Sequence, residues 1–160
     1  MPVEADLLRQ AMRFWVTGVT VVTAVHQGVQ HGMTVSSFTS VSLTPPQVLI
    51  SLAQSARTHS LVSRSRSFGV SILSVNQQDI ADRFAGRATE EADRLAGLET
   101  FTLVTGTPMI AGGLMHLDCR VLTTLGAGAN TIFIGEVVAA QCAENGDPLV
   151  YFNRGYKKLV

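Results

Sequence analysis

Apolar positions open the chain at helical spacing. Leu7, Leu8, Ala11, Met12 and Trp15 fall on i, i+4 rows, which predicts an amphipathic helix over residues 6–16, capped by Asp6, ended by Gly18 and covering one face of a sheet. The period then shortens. Residues 19–25 are rich in β-branched side chains that suit a pleated surface, residues 27–30 supply a turn, and a hairpin leads into residues 32–35. A strand over 47–53 follows Pro45 and Pro46, which lack backbone donors and forbid a helix there. Thr58 caps a short helix through Ser65, and residues 68–73 form a further strand. Asn76 caps a helix through Phe84, with Asp79 at its positive end, Ile80 and Phe84 on one face and Gly86 as its stop. Residues 87–97 are alanine-rich and charged without an apolar stripe, so they read as a loosely packed helix or a mobile excursion over the surface. Two long strands over 114–125 and 131–140, joined by 126–130, precede a turn at 145–148 and a last short strand over 149–152.

Six or seven strands with covering helices favour a mainly β fold with added helices, an antiparallel barrel forming a single domain over residues 1–160. Composition adds an interface to this picture. Hydrophobic residues make up 46% of the chain and charged residues 15%, leaving apolar surface for a subunit contact. Lysine plus arginine balance aspartate plus glutamate at 12 each, so no basic field gathers nucleic acid or anionic lipid. No apolar run approaches the roughly 20 residues of a membrane span, and the start lacks the order of a secretion signal, which points to the cytoplasm. Cys119 and Cys142, without CxxC spacing, read as buried free thiols.

Most site chemistries have no anchor. The four histidines are scattered, and none pairs with another ligand at zinc-site spacing. His116 and Asp118 alternate onto one strand face, read as a solvated or interface face rather than a ligand pair. There is no G-x-S-x-G elbow, no G-x-G-x-x-G and no P-loop; Gly126-Ala-Gly128 leads into a strand, not a helix. What remains is the hydroxyl-rich stretch from His31 to Thr58. An extended polar backbone there can meet the edge of a flat ring, and Ser55, Arg57 and Thr58 at a helix start suit a phosphate. On spacing alone a cofactor cradle and a plain hydroxyl-rich barrel edge both stand.

Several motifs then occur in order: Phe14-Trp-Val-Thr-Gly-Val-Thr-Val-Val-Thr23, Gly32-Met-Thr-Val-Ser-Ser-Phe-Thr-Ser-Val-Ser-Leu-Thr-Pro-Pro46, Ser55-Ala-Arg-Thr58, Phe84-Ala-Gly86, Thr131-Ile-Phe-Ile-Gly-Glu-Val137 and Pro148-Leu-Val-Tyr-Phe-Asn-Arg-Gly-Tyr156. Nearly the whole chain thereby resembles the flavin reductase-like domain family, the short-chain flavin reductase component of two-component flavin-dependent monooxygenases. The resemblance implies an FMN-binding split barrel (a six- or seven-stranded antiparallel Greek-key barrel) and a homodimer. It implies an NAD(P)H-dependent reductase, with NADH or NADPH as donor, that passes reduced FMN or FAD by diffusion to a separate monooxygenase. It places Thr34, Val35, Ser36 and Ser37 along the isoalloxazine edge with Ser51 and Leu52 beside them, and Ser55, Arg57 and Thr58 at the phosphate; Phe84 and Gly86 belong to the same site. Hydride passes directly from nicotinamide to flavin, so no side chain is assigned as acid or base.

Two positions depart from the family pattern. Many members carry Gly-Asp-His before the strand matching residues 131–137, the histidine near the nicotinamide; this chain has Gly128-Ala129-Asn130. Asparagine donates and accepts hydrogen bonds but carries neither a proton nor a charge. Asn130, Arg154 and Tyr156 are the candidates at the donor. Ser36 stands where many relatives have asparagine. The departure at Asn130 keeps open a flavin-binding carrier, and the fold also admits a reductase of a corrinoid or ferric chelate.

Overall fold

The computed structural model describes residues 1–86 and 93–160. Helix α1 (Ala5–Met12) and strand β1 (Thr17–Gly18) lead into β2 (Thr20–His26), β3 (Val29–Val35), β4 (Phe38–Leu43) and β5 (Pro46–Ala53). Then come α2 (Arg57–Ser65), β6 (Ser67–Ile72), α3 (Gln78–Phe84), β7 (Thr100–Phe101), β8 (Met109–Ile110), β9 (Met115–Ala127), β10 (Asn130–Cys142), β11 (Val150–Phe152) and β12 (Gly155–Lys157). The main sheet is seven-stranded and antiparallel, in the order β3-β2-β6-β9-β10-β5-β4. The fold is mainly β with added helices, as expected.

β2 is the strand around which the layers form. Its first five residues are buried without alternation, because both faces of the strand are covered. Val22 and Ala24 belong to one core with Ile50, Leu52, Val62, Phe68 and Phe133, whereas Val21 joins a second core with Leu73, Ala81, Phe84, Leu95 and Leu149. Successive side chains of a strand point to opposite faces, so α2, through Val62, and α3, through Phe84, cover opposite sides of β2. The two buried threonines of β2 are satisfied: Thr20 Oγ1 donates to the Val35 carbonyl at 2.5 Å and Thr23 Oγ1 to that of Pro108 at 2.5 Å.

Hairpins set the registers. Gln27 (φ 49°) and Gly28 (φ 77°) form a two-residue turn in which both central residues are left-handed, the twist that matches a right-handed hairpin. Val29 and Gln30, expected in the turn, are therefore already in β3. The link between β9 and β10 is likewise shorter than expected: Ala127 pairs with Asn130 across Gly128 (φ 59°) and Ala129.

Several local expectations are corrected. Helix α1 ends at Met12 and buries no residue; Leu7, Leu8, Met12 and Trp15 are each more than half exposed, so it does not cover a sheet face in the monomer. Asp6 bonds to Arg9 instead of capping the helix, whose N-cap is Glu4. Ala56, not Thr58, is the N-cap of α2, and Gln77, not Asn76, that of α3. His116 and Asp118 do share a face, but it is neither solvated nor an interface, for both are buried. His116 Nε2 contacts the Ile110 carbonyl at 2.6 Å, and Asp118 accepts from the Val104 and Thr105 amides and the Thr105 hydroxyl, pinning the segment before β8. Of the stretch 87–97, residues 87–92 lie outside the described part. The remainder is held in place: Leu95 is buried, and Arg83 donates to the carbonyls of Arg94 and Ala96. Both cysteines are free, but only Cys119 is buried. Burial, reinforced by the neighbouring Asp118 charge, pushes its thiol up to about 12, so it stays protonated and inert.

Candidate functional site

The sequence of β3 and its continuation into Ser36 and Ser37 builds the floor of a groove made of three adjoining clefts. The first, about 420 Å³, lies between the N-terminus of α2 and the C-terminus of α3 and is lined by His31, Thr34, Ser55, Arg57, Phe84 and Arg94, among others. The second, about 180 Å³, shares Thr34 and Ala85 with the first and adds Val19, Ser36, Tyr151 and Tyr156. The third, about 420 Å³, shares Ser36 and Tyr151 with the second and extends to Arg9, Arg13, Trp15, Thr17, Ser37 and Arg154. Cations therefore stand at both ends of the groove, and hydroxyls and tyrosine rings occupy the middle.

The first cleft gathers groups that can take an anion. Helix α2 has no side-chain cap, so the amides of its first turn keep the partial positive charge of a helix start. Ser55 and Arg57, both exposed, flank that turn. Thr58 has no exposed surface, and its hydroxyl lies 2.9 Å from His31 Nδ1. This buried contact fastens α2 to β3 at the cleft wall, leaving Ser55 and Arg57 as exposed lining side chains. Arg94 adds a second guanidinium, placed by Nη1 contacts to the Gly32 (3.3 Å) and Phe84 (3.1 Å) carbonyls. His31 and Arg94 were not among the expected site residues. Histidine beside a glycine, and an arginine in an unpatterned stretch, give no periodic signal.

In the middle cleft the tyrosines meet edge to face, with ring centroids 5.7 Å apart. Thr34 turns its hydroxyl to the Ala81 carbonyl at 2.7 Å, which ties β3 to α3. Ser37 donates to the Ser51 carbonyl at 2.8 Å and returns its own carbonyl to the Ser51 amide, closing the sheet at this point. Ser36 is exposed and lines both the middle and the third cleft.

The structure thus brings Thr34, Ser36, Ser37, Ser55, Arg57, Thr58, Phe84, Arg154 and Tyr156 to the walls of one groove. Val35 and Leu52 are buried in the core, leaving them only a backbone role. Gly86 (φ 73°) turns the chain after α3 and lies beside the groove-lining Ala85. Asn130 lines none of the three clefts. It sits at the β9–β10 hairpin end opposite Ala53, its carbonyl accepting from Gln54 Nε2 at 3.0 Å. Among the described residues no group of histidine, cysteine or carboxylate side chains can hold a metal ion.

An anion subsite separated from an aromatic- and hydroxyl-lined middle fits a flavin nucleotide, whose phosphate and ring need those two environments. Comparison with known proteins agrees. A family model described as "Flavin reductase like domain" matches residues 12–160. The reductase component of a 4-nitrophenol 4-monooxygenase/4-nitrocatechol 2-monooxygenase from Rhodococcus opacus is 39% identical over 159 residues, covering 99% of this chain and 83% of that protein. An NADH-dependent flavin reductase from a Rhodococcus species is 36% identical over 155 residues, 95% of this chain and 85% of its own length. The solved structure of flavin reductase PheA2 in its native state superposes with a TM-score of 0.91 at 35% identity, covering 99% of each chain.

Proposed function

The chain belongs to the flavin reductase-like domain family and is a nicotinamide-dependent flavin reductase; from that premise we propose how its groove divides the work. The observation that carries the reading is the continuity of the three clefts along one strand edge, with an anion-binding helix start at one end. Ser55, Arg57 and the amides of the first turn of α2 hold the flavin phosphate. Thr34, Ser36 and the backbone from Val35 to Ser37 border the ring, and Tyr156 and Arg154 flank the donor. Bound flavin supplies a two-electron acceptor for hydride. The chain's own part is to hold two flat ligands face to face and to screen them from water; no acid or base is required of it.

Reduced flavin then serves a separate monooxygenase component. A diffusing carrier needs no docking surface between the two proteins. Purified chain should oxidise NADH at a rate that rises and saturates with added FMN or FAD under air. A chain that bound flavin but left NADH absorbance unchanged would be a carrier and would refute the reductase.

A second copy completes the molecule. The outer face of α1 and the residues after it carry Leu7, Leu8, Met12, Phe14 and Trp15, exposed by 53–81% in the monomer. Contiguous apolar surface of this kind marks an interface. We therefore expect a homodimer at micromolar concentration in sedimentation equilibrium, and a monomeric mass would rule it out. The free thiols suit the reducing cytoplasm, where we place the reaction.

A further inference from the structure

The N-cap of α2 is Ala56, whose methyl group can offer the first turn nothing, and β5 ends three residues before it at Ala53. A helix start without a side-chain cap frays unless contacts outside the helix hold it. Residues on both sides of the cap make such contacts. The Gln54 amide donates to the Ala129 carbonyl at 2.9 Å, and Gln54 Nε2 donates to the Asn130 carbonyl at 3.0 Å. Thr58 Oγ1 lies 2.9 Å from His31 Nδ1 on β3, and His59 Nε2 lies 2.8 Å from Thr131 Oγ1 on β10. His59 also sets its ring edge to face on Phe133, a fully buried residue, with ring centroids 5.3 Å apart. Thr131 and Phe133 share a face of β10, so that strand is a fixed wall for the helix start.

These contacts act in different directions. Successive helix positions point about 100° apart, so Thr58 and His59 reach different strands and fix the turn about its own axis. Gln54 fixes the approach from β5. The β5–β10 ladder ends at the pair Ala53 and Asn130, and Gln54 carries it past that end with one backbone and one side-chain bond. Residues 129–131 therefore grip the chain on both sides of Ser55 and Arg57, at Gln54 and at His59. Gln54, His59 and Thr131 line none of the three clefts.

Resting on the assignment of the flavin phosphate to Ser55, Arg57 and the first turn of α2, we infer that Gln54, His59 and Thr131 are positioning residues for that phosphate. They touch no ligand, and they hold the α2 start at one distance and angle from the ring-bordering β3. Hydrogen bonds weaken steeply with misalignment, so a loosened turn gives up affinity for phosphate while the ring contacts stay as they were.

FMN and riboflavin, titrated into the full-length, flavin-free chain, read the phosphate and the ring separately. Thr131→Val removes one hydroxyl at nearly constant shape and should weaken FMN binding about three- to tenfold, the worth of one hydrogen bond, with riboflavin binding as in the wild type. In turnover its KM for FMN should rise by the same factor while kcat holds. His59→Leu should repeat the loss, and His59→Gln, whose amide can reach Thr131, should recover most of it. Gln54→Ala, at an exposed position, carries the test if Thr131→Val does not fold. Equal losses for FMN and riboflavin, no loss in any of the three, or no recovery in His59→Gln overturns the inference. Arg57→Ala tells its failure from that of the groove assignment. FMN weakened in Arg57→Ala but not in Thr131→Val, His59→Leu or Gln54→Ala leaves the assignment standing and removes the positioning role alone. FMN affinity unchanged in Arg57→Ala takes the phosphate out of this cleft, and the positioning role falls with it.

Discussion

Replacing Arg57 by alanine should weaken FMN binding by one to two orders of magnitude while leaving riboflavin binding unchanged. The guanidinium stands beside the uncapped start of α2, where a phosphate would gain both the helix charge and a charged hydrogen-bond fork. Losing one such charged hydrogen bond costs about 1.5–3 kcal/mol. Arg57 is exposed, so the lower half of that range applies at physiological salt and the effect shrinks as salt is added. Riboflavin lacks the phosphate and so reports the ring alone. In turnover, the same substitution should raise the KM for FMN with kcat nearly intact, because a contact remote from the reacting ring is made equally before and during hydride transfer. Arg57→Lys retains a point charge without the fork and should recover part of the loss. Fluorescence-quenching titrations with FMN and riboflavin measure both arms, and equal FMN affinity in Arg57→Ala and the wild type would remove the phosphate from this cleft.

The groove's two halves were legible in the chain for different reasons. The α2 end is local: a serine, an arginine and a helix start lie within four residues, and backbone geometry alone brings them together. Thr34 and Ser36 could be placed on a strand edge, but not the use of the Thr34 hydroxyl, because its acceptor, the Ala81 carbonyl, is 47 residues away. Separation in sequence also hides His31 against Thr58, 27 residues on, and Arg94 against the Gly32 carbonyl, 62 residues away. Strands β4 and β12 were missed for opposite reasons. β4 pairs only with β5 at the sheet edge and, with its Thr39-Ser-Val-Ser42 core, carries no clean alternation, whereas β12 has three residues. The hydroxyl-rich stretch divides in the structure: β4 is the edge strand of the sheet, and Ser36 and Ser37, just before it, line the groove. Helix α1 displays the limit of periodicity. Its apolar stripe holds for Leu7, Leu8, Ala11 and Met12 but ends with the helix at Met12, short of Trp15; a stripe says only that something covers it, and it stays exposed among the described residues. Buried His116 and Asp118 show the converse, for a polar pair on one strand face looks solvated until the carbonyl and amides that satisfy it are seen.

Phe84→Ala should cost about 3–5 kcal/mol of stability, the range for removing a fully buried aromatic ring. Phe84 is the last residue of α3 and the central wall between the second core and the anion cleft. Across β3 it presses on Gly32, where an added Cβ would lie 2.8 Å from Phe84 Cε1 and 3.1 Å from Thr23 Cγ2. Gly32 is thus required by close approach and not by a turn, and Gly32→Ala alone should destabilise by roughly 1–3 kcal/mol through overpacking. The two effects should not add. In Phe84→Ala the new methyl enters space that the ring has left, so Gly32→Ala should then cost less by about 1 kcal/mol or more, a coupling of the kind expected of residues in contact. Urea unfolding of the wild type, both single variants and the double variant closes the cycle, provided the slopes agree. Strict additivity would mean that the ring and the glycine do not share this space. The functional consequence follows from the same wall: with the ring gone, α3 no longer fixes Ala85 and Thr34 at the groove, so FMN affinity should fall in Phe84→Ala and be partly restored by the methyl in the double variant.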